Sequence, residues 1–246
     1  MSSCRFQKRC GLVNAKIDGP PNPMHMRQLI LDLLPEISPT LDNFVAGGNA
    51  EAVAAVTGWL AGARTETSFC LWGEAGSGRT HLLLASGFTY IDAAFDPALG
   101  EVAAVGQLAV DHVEALNAAG QIALFNHFNR LKTADGQLFT AADRPPAHLA
   151  LREDLRTRLG SGLIYRLQPL SDGEKVAALT NQARERALKL SPESIDYLMR
   201  HAPRDMRTLS AFIAALDRYT LEHKRAVTLP LLRELLNETL PLDLGQ

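Results

Sequence analysis

Eight consecutive residues, Gly73-Glu74-Ala75-Gly76-Ser77-Gly78-Arg79-Thr80, carry the spacing G-x-x-x-x-G-[KR]-[ST] of a phosphate-binding loop. The chemistry asks for glycine where the backbone must wrap an oxyanion with its N–H groups pointing inward. A helix starting at the end of such a loop adds partial positive charge at the same place. Thr80 supplies a hydroxyl for Mg²⁺, and Arg79 stands where a lysine is usual. Arginine keeps the charge but is larger and planar, so the phosphate geometry must adjust to it. A second acid is needed at the end of a neighbouring strand. Asp111, closing the run Leu108-Ala109-Val110-Asp111, is placed to hold Mg²⁺ directly or through water. Efficient ATPases of this kind carry a glutamate next, to polarise the attacking water. Here the next residue is His112, with Glu114 beyond it. His112 reads as a solvated or packed histidine before it reads as a general base. Together these residues predict binding of ADP or ATP with Mg²⁺, and poor hydrolysis.

The elements that must position this chemistry alternate from residue 40 onward. Five short apolar segments read as strands: Phe69–Trp72, Thr89–Ala93, Leu108–Asp111, Leu138–Ala142 and Leu163–Leu167. Helical patterns lie between them, as in Leu124, Phe125, Phe128 and Leu131 at one-face spacing. That alternation predicts an α/β domain with a parallel sheet and helices on both faces. The helix after the loop is short, since only Thr80 to Ser86 precede Gly87. After Leu167 the strands stop. Ser171 with Glu174 forms a capping box that opens a helix running to about Leu190. Ser191-Pro192 starts another, and helical patterns continue over Met206–His223 and Leu229–Leu236. The expected division is a tail at 1–39, an α/β nucleotide-binding domain at 40–168 and a small all-helical domain at 169–246. Residues 1–25, with Pro20, Pro21 and Pro23 and no sustained apolar period, predict disorder, and Met24 or Met26 is the expected start of translation.

Composition narrows the partners. The 246 residues hold 25 Lys+Arg against 27 Asp+Glu, a formal net charge of −2. Sequence-independent binding to nucleic acid rests on phosphate neutralisation, and such a balance offers no broad field for it. Three cysteines, Cys4, Cys10 and Cys70, are too few and odd in number for a disulfide scaffold and fit a reducing compartment. No apolar run approaches the roughly 18 residues of a membrane span, and no charged-then-apolar signal segment opens the chain. The expectation is a cytoplasmic protein without membrane contact.

The order of the motifs resembles a known family. Thr40-Leu41-Asp42-Asn43-Phe44-Val45, the phosphate loop, Asp111, and Asp143-Arg144-Pro145-Pro146 are similar to the AAA+ core of the bacterial replication initiator DnaA. Leu155-Arg156-Thr157-Arg158-Leu159, Leu167-Gln168-Pro169-Leu170-Ser171-Asp172 and Asp205-Met206-Arg207-Thr208-Leu209 sharpen this to the Hda-type regulatory inactivators of DnaA. The resemblance covers about residues 28–237. It implies an AAA+ P-loop αβα core with a five-stranded parallel sheet, followed by a helical lid. The initiator continues past its lid into a helix-turn-helix domain. Here the sequence stops about ten residues beyond the last helical pattern, which favours the regulator.

Carried over by position, the resemblance implies that Asn43 and Phe44 lie beside the adenine. It makes Asp143 the sensor 1 residue near the γ-phosphate and Arg207 the sensor 2 arginine on the β-phosphate. Arg158 would be the arginine finger offered to a neighbour's nucleotide, although spacing alone does not choose among Arg152, Arg156 and Arg158. The family also carries a short peptide that docks into the β sliding clamp of DNA polymerase III. Gln28, Leu29, Leu31 and Leu33 match it, while Ile30 and Asp32 depart from it. The implied protein reaches DNA only through the clamp and stimulates hydrolysis of DnaA-bound ATP in trans, which prevents re-initiation. It is not a turnover enzyme itself, and homo-oligomerisation stays open. Two other readings are an autonomous AAA+ ATPase such as a helicase loader, and a nucleotide-dependent scaffold without regulatory activity.

Overall fold

The computed structural model describes residues 38–63, 66–100, 106–223 and 227–239. The tail, its clamp peptide (Gln28, Leu29, Leu31 and Leu33) and the Met24 and Met26 starts lie outside the described residues.

Five parallel strands form one sheet: β1 (Ser68–Gly73), β2 (Thr89–Asp92), β3 (Gln107–Asp111), β4 (Gln137–Ala142) and β5 (Leu163–Leu167), in the order β2-β3-β4-β1-β5. All five coincide with the strand segments expected from the sequence to within a residue at each end. The period-2 alternation of the pleat assigns neighbouring side chains to opposite faces. Leu108, Val110, Leu138 and Ala142 face one core, with helices α3 (Ala118–Thr133) and α4 (Glu153–Gly160). Phe69, Leu71, Ala109, Phe139 and Ala141 face the other, with α1 (Ala50–Leu60) and α2 (Arg79–Ala85). The second face is the aromatic one. Trp59 packs on Phe69, Phe88 and Phe139, and its indole N–H donates to the Glu66 carbonyl at 2.7 Å.

Helix α2 holds only seven residues, and the structure supplies a reason. Gly87 takes φ +73°, a left-handed stop that suits glycine, while the Ser86 hydroxyl closes on the Leu83 carbonyl at 2.6 Å. The chain is thereby turned to insert Phe88 into the Trp59 cluster and enter β2.

The helical part comprises α5 (Asp172–Glu185), α6 (Pro192–His201), α7 (Met206–His223) and α8 (Leu229–Thr239) around a separate core that includes Leu179, Leu198, Leu209, Ile213 and Leu232. Its first helix opens with the expected capping box, Ser171 and Glu174 satisfying each other's backbone N–H groups. It ends five residues earlier than the apolar spacing suggested. Ala187 turns left-handed (φ +54°), the Leu188 N–H donates to the Ala183 carbonyl and the Ala187 N–H to Arg184. This is a Schellman closure with alanine where glycine is common. Leu188 and Leu190, which suggested a longer helix, pack on the lid core from an irregular segment instead.

One polar contact ties the start of the chain's ordered core to the exit from the sheet. Asn49 is buried, and its side chain exchanges two hydrogen bonds of 2.8 Å with the backbone N–H and carbonyl of Gln168, 119 residues away.

Candidate functional site

The C-terminal edge of the parallel sheet gathers Gly73, Asp92, Asp111 and, one residue beyond β4, Asp143. This edge is where open α/β sheets bind ligands. Register explains the grouping: Trp72 pairs with Ala142, which sets Asp143 level with Gly73, and Asp92 pairs with Asp111.

The loop between β1 and α2 is built on its glycines. Gly76 and Gly78 adopt φ +77° and +94°, conformations that side-chain-bearing residues rarely take. At Gly73 a Cβ would collide with the Leu167 carbonyl on β5, and at Gly78 it would stand 2.6 Å from Phe44 Cε2. Phe44 therefore lies directly against the loop, and its ring also meets His81 edge-on at 5.3 Å. Two polar atoms on the loop are buried with no partner among the described residues: the Ser77 hydroxyl and Nη1 of Arg79. Burying donors without acceptors is costly, so both atoms call for a ligand that supplies oxygens.

Asp111 is fully buried, and its carboxylate accepts three hydrogen bonds. The Thr80 hydroxyl donates to Oδ2 at 2.6 Å, the Tyr90 hydroxyl to the same oxygen at 3.2 Å, and the His112 N–H to Oδ1 at 2.9 Å. Thr80 and Asp111, expected from the sequence to hold Mg²⁺ together, are thus brought into contact. Burial and the neighbouring Asp111 and Asp92 charges push the Tyr90 phenol above its ordinary range. His112 Nδ1 bonds Asp92 Oδ1 at 2.8 Å. Partial burial pulls its imidazole down, but the Asp92 bond and the charges of Asp111, Asp92 and Glu114 outweigh that, so its pKa lies above the ordinary value. The bond to Asp92 fixes the orientation of the imidazole at the end of β3.

Asp143 is gripped in a fork by its neighbour, Arg144 Nε reaching Oδ1 at 2.9 Å and Nη2 reaching Oδ2 at 2.6 Å. Those hydrogen bonds, with a contribution from the Arg79 charge, hold its carboxyl below the usual range and put Arg79 in electrostatic reach of Asp143. Asn43 stands beside Phe44, but its polar atoms are engaged in the local turn. It accepts from the Thr40 N–H at 2.9 Å and donates to the Ser38 carbonyl at 3.0 Å. Arg207 enters from the first turn of α7, and its charge is felt at His81, one residue past Thr80.

Arg158 lies elsewhere. Its guanidinium sits 5.9 Å and 5.7 Å from the ring centroids of Phe125 and Phe128 on α3. Among the described residues it makes no ion pair, whereas Arg152 is forked onto Asp154 at 2.7 Å. The ion pair sets Arg152 apart from Arg158, while Arg156, like Arg158, makes no ion pair among the described residues. Residues that sequence reasoning missed are Tyr90, Asp92 and Asn49. Tyr90 and Asp92 both lie on β2, and its pairing with β3 is what brings them to Asp111 and its neighbour His112.

Comparison with known proteins bears on both halves of the chain. The family model described as the Hda lid domain matches residues 172–236, and that of the bacterial DnaA ATPase domain matches residues 100–166. Among solved structures, the chain is similar to a DNA replication initiation factor at 27% identity, with 76% of this chain and 67% of that one covered and a TM-score of 0.58. It is similar to AMPPCP-bound DnaA from Aquifex aeolicus at 25% identity, covering 76% and 70%, with a TM-score of 0.58. Domain III of DnaA from Thermotoga maritima shares the fold at a TM-score of 0.64 and 23% identity, with 82% and 97% covered. No helix among the described residues is long and apolar enough to cross a membrane. Residues 172–236 thus match an Hda-type lid and residues 100–166 a DnaA-type ATPase domain, on an AAA+ fold shared with DnaA.

Proposed function

We propose that this chain is a nucleotide-binding adaptor that stimulates hydrolysis of DnaA-bound ATP. The observation that carries the reading is a division of catalytic parts. The loop side has a paired Thr80 and Asp111 and unpartnered donors at Ser77 and Arg79, but His112, clamped to Asp92, stands where a water-polarising glutamate belongs. The cation that accelerates phosphoryl transfer, Arg158, is held on a different face, against Phe125 and Phe128. A site so divided is suited to hold a nucleotide and to complete someone else's active site.

The residues fit a Mg²⁺–nucleotide. Ser77 Oγ and Arg79 Nη1 would take phosphate oxygens, Thr80 and Asp111 the metal, and Phe44 the base. Asp143 and Arg207 would face the phosphates from the sheet edge and the lid. When bound, Mg²⁺ neutralises charge on the β and γ phosphates. ADP is the expected resident, given Arg79 and the absent glutamate. Its role here is to fix the lid on the core, so that the protein presents one shape to its partner.

Gln28, Leu29, Leu31 and Leu33 would tether the chain to a DNA-loaded β sliding clamp, raising its effective concentration near DnaA without contacting DNA directly. Arg158 would then reach the developing charge on the γ-phosphate of DnaA-bound ATP, a contribution worth roughly 10³–10⁵ in rate when supplied in trans. The outcome is ADP-bound DnaA and no second initiation. The test is hydrolysis of DnaA-bound ATP in the presence of loaded clamp and either wild type or Arg158→Ala. Stimulation should collapse in the variant while its own nucleotide affinity is kept. Full stimulation by Arg158→Ala would refute the finger assignment. Rapid hydrolysis by the isolated chain would instead support an autonomous ATPase.

A further inference from the structure

His112 occupies a conformation it would not choose. Its backbone angles, φ +50° and ψ +47°, are left-handed, a region that costs every residue with a Cβ. Two contacts accompany that conformation. On the side chain, Nδ1 bonds Asp92 Oδ1 at 2.8 Å. On the backbone, the 112 N–H donates to Asp111 Oδ1 at 2.9 Å. Residue 112 is fixed on both sides, by β3 before it and by the short helical turn Val113–Ala115 after it. Relaxing φ at 112 would therefore rotate the 111–112 peptide plane and take its N–H off the carboxylate.

Asp92 is itself well anchored. It ends β2 in register with Asp111, and the Oδ1 that meets His112 also accepts the Ala94 N–H at 2.9 Å. The other oxygen of Asp111 is served independently by Thr80 and Tyr90. We propose that Asp92 is a positioning residue for the metal-holding carboxylate of Asp111, acting through the backbone conformation it enforces at His112. This rests on the reading of Thr80 and Asp111 as the Mg²⁺–nucleotide site. In this role Asp92 keeps one of the two oxygens of Asp111 aimed by holding the neighbouring peptide in place.

The experiment measures ADP affinity by calorimetry with the full chain, once in excess MgCl₂ and once in EDTA. Asp92→Ala should weaken binding in Mg²⁺ by about five- to thirty-fold, the population lost when a left-handed residue is released. It should leave affinity in EDTA unchanged, which also reports an intact fold. Asp92→Asn keeps an oxygen acceptor for His112 and should rescue the Mg²⁺-dependent part. Glycine adopts φ +50° without support. In a His112→Gly background, therefore, adding Asp92→Ala should change little. Equal losses in Mg²⁺ and EDTA, or a loss from Asp92→Ala that persists undiminished beside His112→Gly, would overturn the proposal. Asp111→Asn separates the two levels. If it too leaves the Mg²⁺-dependent affinity intact, the metal reading fails and the proposal with it. If it removes that affinity while Asp92→Ala does not, only the positioning role fails.

Discussion

Two glycines of the phosphate loop are predicted to fail for different reasons, and the difference can be measured. Gly76 has φ +77° and open space where a methyl would go, so Gly76→Ala meets only a dihedral penalty, about 1–2 kcal/mol. Gly73 is the reverse case. Its φ is ordinary for an L-residue, but the methyl of Gly73→Ala would run into the Leu167 backbone carbonyl and stand 3.1 Å from Ser77 Oγ. A flexible side chain could swing aside; a carbonyl within the β1–β5 pairing cannot, because Gly73 and Leu167 are register partners. Overpacking of this kind costs roughly 1–3 kcal/mol, and a backbone-to-backbone collision belongs at the upper end. Against a total stability of about 5–15 kcal/mol, urea unfolding without nucleotide resolves both effects. Gly73→Ala should lower the midpoint more than Gly76→Ala does. Gly76→Ala should do its main damage to ADP affinity, since the strained loop would relax out of its phosphate-wrapping shape. A Gly73→Ala protein as stable as wild type would refute the claim that the loop is set by close approach of β1 to β5.

Two further outcomes are expected. Burial first and the Arg207 charge second hold the His81 imidazole below its ordinary 6.5, against an opposing hydrogen bond to Thr40. Arg207→Ala should therefore raise the His81 pKa part of the way back, read by NMR titration, and no movement would remove Arg207 from the site. With the folded value below the unfolded one, the unfolded chain binds more protons between the two. Stability is therefore full above about pH 6.5 and declines as pH falls towards the folded value, over a window that Arg207→Ala should narrow. Separately, Ser171→Ala removes the acceptor for the Glu174 N–H and half of the capping box. Its expected cost is about 1 kcal/mol in a denaturant titration, and an unchanged midpoint would mean the helix start is held by tertiary contacts alone.

How much was legible in the sequence follows from how local each signal is. The strands were readable because both faces of the sheet are covered, which makes their apolar runs nearly continuous. Gly73 to Thr80 was readable because a phosphate loop is one contiguous segment. Asp111 was readable because it ends a strand. Asp92 and Tyr90 were not, since their importance comes from the pairing of β2 with β3, which periodicity does not encode. The helix expected to reach Leu190 misled for a related reason: Leu188 and Leu190 are apolar because they cover the lid core, and burial alone does not distinguish a helix from the turn that follows it. Arg158 was one of three arginines until side-chain packing separated it from Arg152.

The paired hydrogen bonds between Asn49 and Gln168 carry a consequence for the order of events during synthesis. Asn49, at the start of α1, is secured by a backbone partner 119 residues further along the chain. On a ribosome, that partner does not exist until the last strand has been made, and closing so long a loop early has no reward to offset its entropy. The side chain of Asn49 must therefore wait for β5. A chain released before Gln168 would carry the whole phosphate loop but leave the amide of Asn49 with neither of its backbone partners.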